Sequence, residues 1–288
     1  MKHLSILTTF LLFSSFVSFN AQVDDPIVED KAPQKFRFGI MGYSTIGWLS
    51  PENEKMFSSD KAGLGFGWGL NTEFYLNKTT SFRTGFSLSN FQASINYYDD
   101  QLTLNKEVYY VLNNDLDFQN WEQGSNPPSG ILYKLNTRKY NISYVNLPLI
   151  LKLKTNEIGY LTYFGEFGAV LGFKTKAAVN DFHKQVEWDS LAGTFSDIGN
   201  NSEITDLNLD NGIQPLRAGI SLGAGAEYNF SGSTSLFFQA NWNYFMTNQM
   251  TKEENENYLR SFSTSSGFES VDSKSIPGSV NITIGILF

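Results

Sequence analysis

Residues 279–288 read SVNITIGILF. Val280, Ile282, Ile284, Ile286 and Phe288 fall on one face of an extended chain, and Asn281, Thr283, Gly285 and Leu287 fall on the other. Successive side chains of a strand point to opposite faces, so this alternation predicts a β-strand with two unlike surroundings. The sequence stops on an aromatic with no polar tail. Such an ending is expected of a strand that is paired on both edges.

The same period recurs upstream. Alternating segments lie at 35–48, 63–76, 81–94, 140–154, 158–173, 216–230 and 234–246, which with the last makes eight. The cleanest sets Leu64, Phe66, Trp68 and Leu70 against Gly63, Gly65, Gly67 and Gly69. No helical period interrupts them. Three connections are short: NKTT (77–80), TNE (155–157) and SGS (231–233). The others, at about 49–62, 95–139, 174–215 and 247–276, are long, and short and long alternate strictly. Outer-membrane barrels have short periplasmic turns and longer external loops in this arrangement.

Volume decides which face is outside. An eight-stranded barrel has an interior just wide enough to be filled by side chains. It cannot hold Phe36, Phe38, Phe66, Trp68, Phe82, Phe86, Phe167, Phe238 and Trp242 together with the leucines. With Gly, Ser, Thr and Asn inside, the apolar face meets lipid. The fold expected is therefore all-β, an eight-stranded antiparallel transmembrane β-barrel whose last strand pairs with its first. Aromatics near strand ends would form the two interfacial girdles: Phe74, Tyr75, Tyr160, Tyr228 and Phe230 at the short-turn end, Trp48 and Phe173 at the other. Pro148 inside its strand predicts a local bulge.

Inward-facing charges follow from the same parity. Arg37, Arg83, Lys152 and Arg217 are expected to face Glu73, Glu166 and Glu227 in the lumen, as paired charges that fill it rather than as an ion-selective constriction. Residues 1–21 have a basic start (Lys2, His3), an apolar run with hydroxyls and Ala21-Gln22 as a cleavage point, and read as a signal peptide. Residues 22–34 read as a disordered periplasmic lead-in and 35–288 as the barrel.

Several chemistries are excluded. Cysteine is absent, and the net charge of −8 concentrates no basic stripe for nucleic acid. His183, in NDFHKQVEWDS with Asp181, Asp189 and Ser190, is expected to be a solvated loop histidine, so the protein is not read as an enzyme. DLNLDNG (206–212) begins like a calcium loop, but its glycine comes one place late and Arg217 stands where the bidentate acid belongs. No metal or cofactor is expected. The third and fourth long connections are acidic, and the long connections also carry Tyr97, Tyr98, Tyr109, Tyr110, Trp121, Trp188 and Tyr258. Those aromatics make either a binding surface or an internal packing; the residue types leave both open.

The stretch YVNLPLILKLKT (144–155), followed by YFGEFGAVLGFKTKA (163–177), resembles the PorT-family outer-membrane β-barrel proteins of Bacteroidetes. Tyr144, Leu147, Pro148 and Lys152 match one motif, and Gly165 and Gly168 the next; Asp210, Gly212, Gly223, Gly225 and Glu227 match a third. The resemblance implies a Gram-negative envelope protein, with PorT itself associated with type IX secretion. It makes outer-membrane lipid and secretion-apparatus proteins the expected partners. The stripe Val280, Ile282, Ile284, Ile286, Phe288 resembles the signal by which the barrel assembly machinery recognises its substrates. Alternatives are a surface binding or adhesion protein acting through its long loops, and a narrow solute pore.

Overall fold

The computed structural model describes residues 35–98, 104, 106–252 and 257–288; the leader and the lead-in expected at 1–34 lie outside them. The strands are β1 (Phe36–Pro51), β2 (Ser58–Tyr75), β3 (Thr80–Asn96), β4 (Val108–Leu112), β5 (Ile131–Lys154), β6 (Leu161–Asp189), β7 (Thr194–Asp197), β8 (Ser202–Asn208), β9 (Leu216–Ser231), β10 (Thr234–Phe245), β11 (Arg260–Ser263), β12 (Gly267–Ser270) and β13 (Ser275–Leu287). Eight of them close into an antiparallel ring in the order β1-β2-β3-β5-β6-β9-β10-β13. The ring is sealed where β13 pairs with β1, from Gly39↔Leu287 to Pro51↔Ser275. Every wall strand thus has two neighbours, as lipid requires of a backbone with no water to satisfy it.

Two strands run much farther than the alternation at 140–154 and 158–173 predicts. β5 has 24 residues and β6 has 29, whereas about 9–11 tilted residues cross a bilayer. One row of paired residues marks where they leave it. Leu88, Val145, Phe173 and Leu216 are neighbours across β3, β5, β6 and β9. On the short-turn side of this row the outer face is apolar, as in Leu147, Leu149, Leu151 and Leu153. Beyond it the outer face turns polar, with Asn90, Ser143 and Lys176 side by side. The interior inverts at the same level: Ser89 and Asn146 give way to Phe91, Ile142 and Tyr140, all at most 1% exposed. Below the row the surrounding solvent is lipid and the polar side chains turn in. Above it the solvent is water, and the same walls enclose an apolar core.

The connections read as loops therefore hold structure. β4 lies within 95–139, β7 and β8 within 174–215, and β11 and β12 within 247–276. Together with the upper parts of β5 and β6 they form an extracellular head.

Other expectations need correction. β3 and β5 keep one register past Pro148, which only leaves a gap in the ladder opposite Gly85. The β5–β6 bulges lie elsewhere, at Asn136 on β5 and Thr175 on β6. Tyr75 turns into the lumen rather than joining the girdle, and its hydroxyl accepts from Lys154 Nζ at 2.9 Å. Phe74, Tyr160, Tyr228, Phe230 and Phe173 do stand exposed on the outside.

The lipid face gives a direct test. Leu222 is 50% exposed between Phe167 and Trp242 of the adjoining strands. Leu222→Arg is expected to cost about 2–4 kcal/mol near the bilayer midplane, read as a lower urea midpoint in lipid vesicles.

Candidate functional site

At the short-turn end the lumen holds a compact ionic cluster. Lys152 Nζ donates to Glu73 Oε1 and to Glu227 Oε1, each at 2.5 Å. Lys154 Nζ reaches Glu73 Oε2 at 3.1 Å and Glu227 Oε1 at 2.9 Å. Arg37 Nη1 donates to Glu227 Oε2 at 3.0 Å, and its Nη2 to Ser235 Oγ at 2.7 Å. The side chains of this cluster are at most 8% exposed. Charges so deeply buried persist only when paired and hydrogen-bonded. Lys152 also lies over the Phe164 ring, at 4.0 Å from its centroid. A second pair sits one layer up: Arg83 Nη2 donates to Glu166 Oε1 at 2.7 Å, and Asn241 Nδ2 donates to the same oxygen.

Six of the seven predicted lumen charges are thus brought into ion pairs. Arg217 is not. Its Nη2 donates to Asn146 Oδ1 at 3.1 Å, and its guanidinium lies 3.6 Å from the Tyr144 ring centroid and 4.2 Å from that of Phe245. Charge on aromatic faces replaces the carboxylate. Lys154 is the residue the sequence reading missed. It keeps the parity of Lys152 but borders the turn, which hid it.

Between the ionic layers and the rings that hold Arg217 lies a cavity of ≈70 Å³ bordered by Thr45, Asn146, Arg217, Asn243 and Asn281. A water needs about 10–15 Å³ of such space, so this polar pocket accommodates a few waters and no sizeable solute. Tyr43 fills the groove left by Gly67, where a Cβ would enter its ring, and donates to Ser87 Oγ at 2.8 Å.

The head has its own core. Phe91 and Ile95 of β3 and Tyr97 just beyond it pack with Tyr110 of β4, Leu135, Tyr140 and Ile142 of β5, Val179 of β6 and Leu207 of β8. Inside it Arg138 grips Asp181 with two hydrogen bonds, Nε to Oδ1 and Nη2 to Oδ2, both 2.7 Å, and both side chains are 0% exposed. The Phe118 ring lies 4.9 Å from the guanidinium. A second cluster on the outer side of β4 and β5 joins Tyr109, Trp121, Val186 and Phe268 with Trp188, Phe195 and Phe262. Burial and a hydrogen bond to Glu107 hold the Tyr109 hydroxyl well above the usual phenol range.

The loop aromatics therefore divide. Tyr97, Tyr109, Tyr110, Trp121 and Tyr258 are buried and pack the head, Tyr98 is exposed, and Trp188 is half-buried. His183 is no loop residue. It is 1% exposed on β6, edge-on to Tyr133 at 4.5 Å, with Nδ1 at 3.0 Å from the Asp181 carbonyl and Nε2 at 3.2 Å from Ser202 Oγ. His183 and Ser202 are direct cross-strand partners, and Ser202 stands exposed on β8. That is a part-buried polar contact across a ladder, between a buried ring and a residue at the surface.

The head also contains a cleft. The β5–β6 ladder ends at Tyr133↔Gln185. Beyond it β5 stays with β4 through Val111↔Leu132 and Leu112↔Ile131, while β6 stays with β7 through Val186↔Asp197 to Asp189↔Thr194. The strands splay, and the wedge between them is a cleft of ≈430 Å³ whose walls include Pro127, Leu132, Gln185, Glu187 and Trp188. Trp188 Nε1 donates to Asn126 Oδ1 at 3.2 Å across it. Among the described residues no group of His, Asp or Glu is placed to hold a metal ion.

A closed eight-stranded ring, lipid-facing outside and ion-paired inside, defines an integral outer-membrane β-barrel protein. The chain belongs to the outer membrane protein beta-barrel domain family, whose sequence model matches residues 20–250. No curated protein matches the sequence. Among solved structures it is similar to Neisserial surface protein A, with 10% identity over 87% of this chain and 95% of that one at a TM-score of 0.36. OprG from Pseudomonas aeruginosa gives 12% identity, 87% and 94% coverage and 0.37. Ail, the attachment invasion locus protein of Yersinia pestis, gives 14%, 88% and 100%, and 0.29. At such identity and superposition these likenesses say nothing of ligand or activity.

Proposed function

We propose that this is a non-enzymatic, non-conducting outer-membrane anchor that presents a rigid extracellular head for binding at the cell surface. The observation that carries the reading is the pairing of a lumen closed by ionic layers with a packed head above the bilayer. A head built on β5 and β6, themselves part of the barrel wall, is held rigidly, which cuts the ordering cost of binding. Purified protein in a planar bilayer is expected to show no conductance steps in molar potassium chloride. Stable steps would favour a narrow pore instead. Binding itself is tested by retention of cells on mucin-coated and collagen-coated surfaces, comparing the full chain with one whose 113–128 segment is replaced by a short Gly-Ser linker. Retention that ignores the replacement would overturn the reading.

A PorT-like role accessory to type IX secretion is the second reading, favoured by motif residues that serve the lumen: Tyr144 stacks on Arg217, and Lys152 and Glu227 are ion-paired. Loss of secreted cargo from a strain lacking the gene, with the envelope intact, would move this reading to first place. Under either reading, residues 1–21 act as the export signal. The outward stripe Val280, Ile282, Ile284, Ile286 and Phe288 of the last strand serves as the handle for the barrel assembly machinery.

A further inference from the structure

The wedge in the head has the chemistry of a ligand site, and its contents restrict the ligand. Its volume of ≈430 Å³ lies within the range of about 300–1,000 Å³ usual for small-molecule pockets. Pro127, Pro128 and Trp188 supply flat apolar surface, and Asn126, Gln185, Glu187 and Ser190 supply amide, carboxylate and hydroxyl groups. Among the described residues no Lys or Arg lines it. The basic residues next along the strands are occupied: Lys134 pairs with Glu107 at 3.0 Å and Lys184 with Asp197 at 2.5 Å. An anionic ligand would meet Glu187 and, among the described residues lining the cleft, no cation.

A peptide strand is also a poor fit. Beyond the last rung the β5 edge offers only Ile131 and Leu132, fewer than the three or so residues of the shortest strands (about 3–10), so an added strand would have Val186–Asp189 of β6 alone to pair with. A ligand that shows apolar C–H faces to an indole and a proline, and hydroxyls to amides and a carboxylate, satisfies every wall. We infer that the wedge between β5 and β6 binds a neutral oligosaccharide chain, with pyranose faces against Trp188 and Pro127 and hydroxyls toward Asn126, Gln185 and Glu187.

The inference rests on the surface-binding reading and names its ligand class. The test is calorimetry on the full chain in lauryldimethylamine oxide micelles, since glycoside detergents would compete. Maltohexaose, cellohexaose, xylohexaose and laminarihexaose are the neutral probes, and a heparin hexasaccharide is the anionic one. At least one neutral probe is expected to bind, with affinity lowered about tenfold or more by Gln185→Leu and by Trp188→Ala. Trp188→Phe, which keeps an aromatic plane in the second cluster, should retain most of it. Because Trp188→Ala could loosen the head, Gln185→Leu, at a half-buried position on the last rung of the β5–β6 ladder, carries the decision. Tighter binding of the heparin fragment, or neutral binding unmoved by Gln185→Leu, would overturn the proposal. If none of the neutral probes binds while head-bearing cells are still retained on protein-coated surfaces, the saccharide class falls and surface binding stands. If retention is absent as well, both fall.

Discussion

Replacing Lys152 with methionine should lower the stability of the barrel by about 3–5 kcal/mol, the usual consequence of removing one partner of a buried ion pair. The ammonium is the shared cation between Glu73 and Glu227, at 2.5 Å from each, and it is 1% exposed. Without it two carboxylates face each other, with only Lys154 common to both and Arg37 serving Glu227 alone. Urea titration in vesicles or micelles reads the change as a lower midpoint, and the folded band in unheated SDS gels should be lost at a lower temperature. The double variant Lys152→Met/Glu73→Gln removes one excess negative charge and should recover part of the loss. Full stability of the single variant would mean that the cluster is hydrated rather than closed.

Asp181→Ala is expected to act on the other half of the molecule. Arg138 would keep its place among the rings of Tyr97, Tyr110 and Phe118 but lose the carboxylate that accepts two of its hydrogen bonds. A guanidinium deprived of its buried partner costs about 3–5 kcal/mol, enough to open a small core. The opening should be local. Hydrogen exchange is expected to rise in β4 and in the upper parts of β5 and β6, with trypsin gaining access at Arg138, while the lipid-embedded rows stay protected. Asp181→Asn, which keeps the shape and an acceptor, should lie between the two. Uniform loss of protection through the barrel would show that head and barrel unfold as one unit.

Much of this architecture was legible without coordinates, and for one reason. In the bilayer the solvent is uniform, so every wall strand must show an apolar outer face and fit small or polar groups inside. Gly63 to Gly69 against Leu64 to Leu70, or Thr283 and Gly285 against Ile282 to Ile286, state that rule in period two. Parity alone assigned Arg37, Glu73, Arg83, Lys152, Glu166, Arg217 and Glu227 to the lumen. It did not assign partners, because neighbours across a barrel come from strands far apart in sequence: Arg37 and Glu227 stand 190 residues apart.

The head was illegible for the complementary reason. Above the row Leu88–Val145–Phe173–Leu216 the rule reverses, with water outside and apolar side chains inside. Each of the two long strands also changes parity beyond that row, β6 close to it and β5 farther out. Asn136 is an extra residue on β5, so Tyr133 and Leu135 share an inner face with Arg138 and Tyr140 rather than with Thr137. Thr175 does the same on β6, putting Ala177, Val179, Asp181 and His183 inside. A bulge costs the alternation one beat, and a 29-residue strand then reads as a strand followed by a loop. The sequence by itself determined the barrel, its strand number and its inside-out facing, because lipid imposes one pattern on every strand. Only the tertiary structure decided the head, the buried place of His183 and the wedge beside Trp188, because these depend on where strands leave the membrane and where they part.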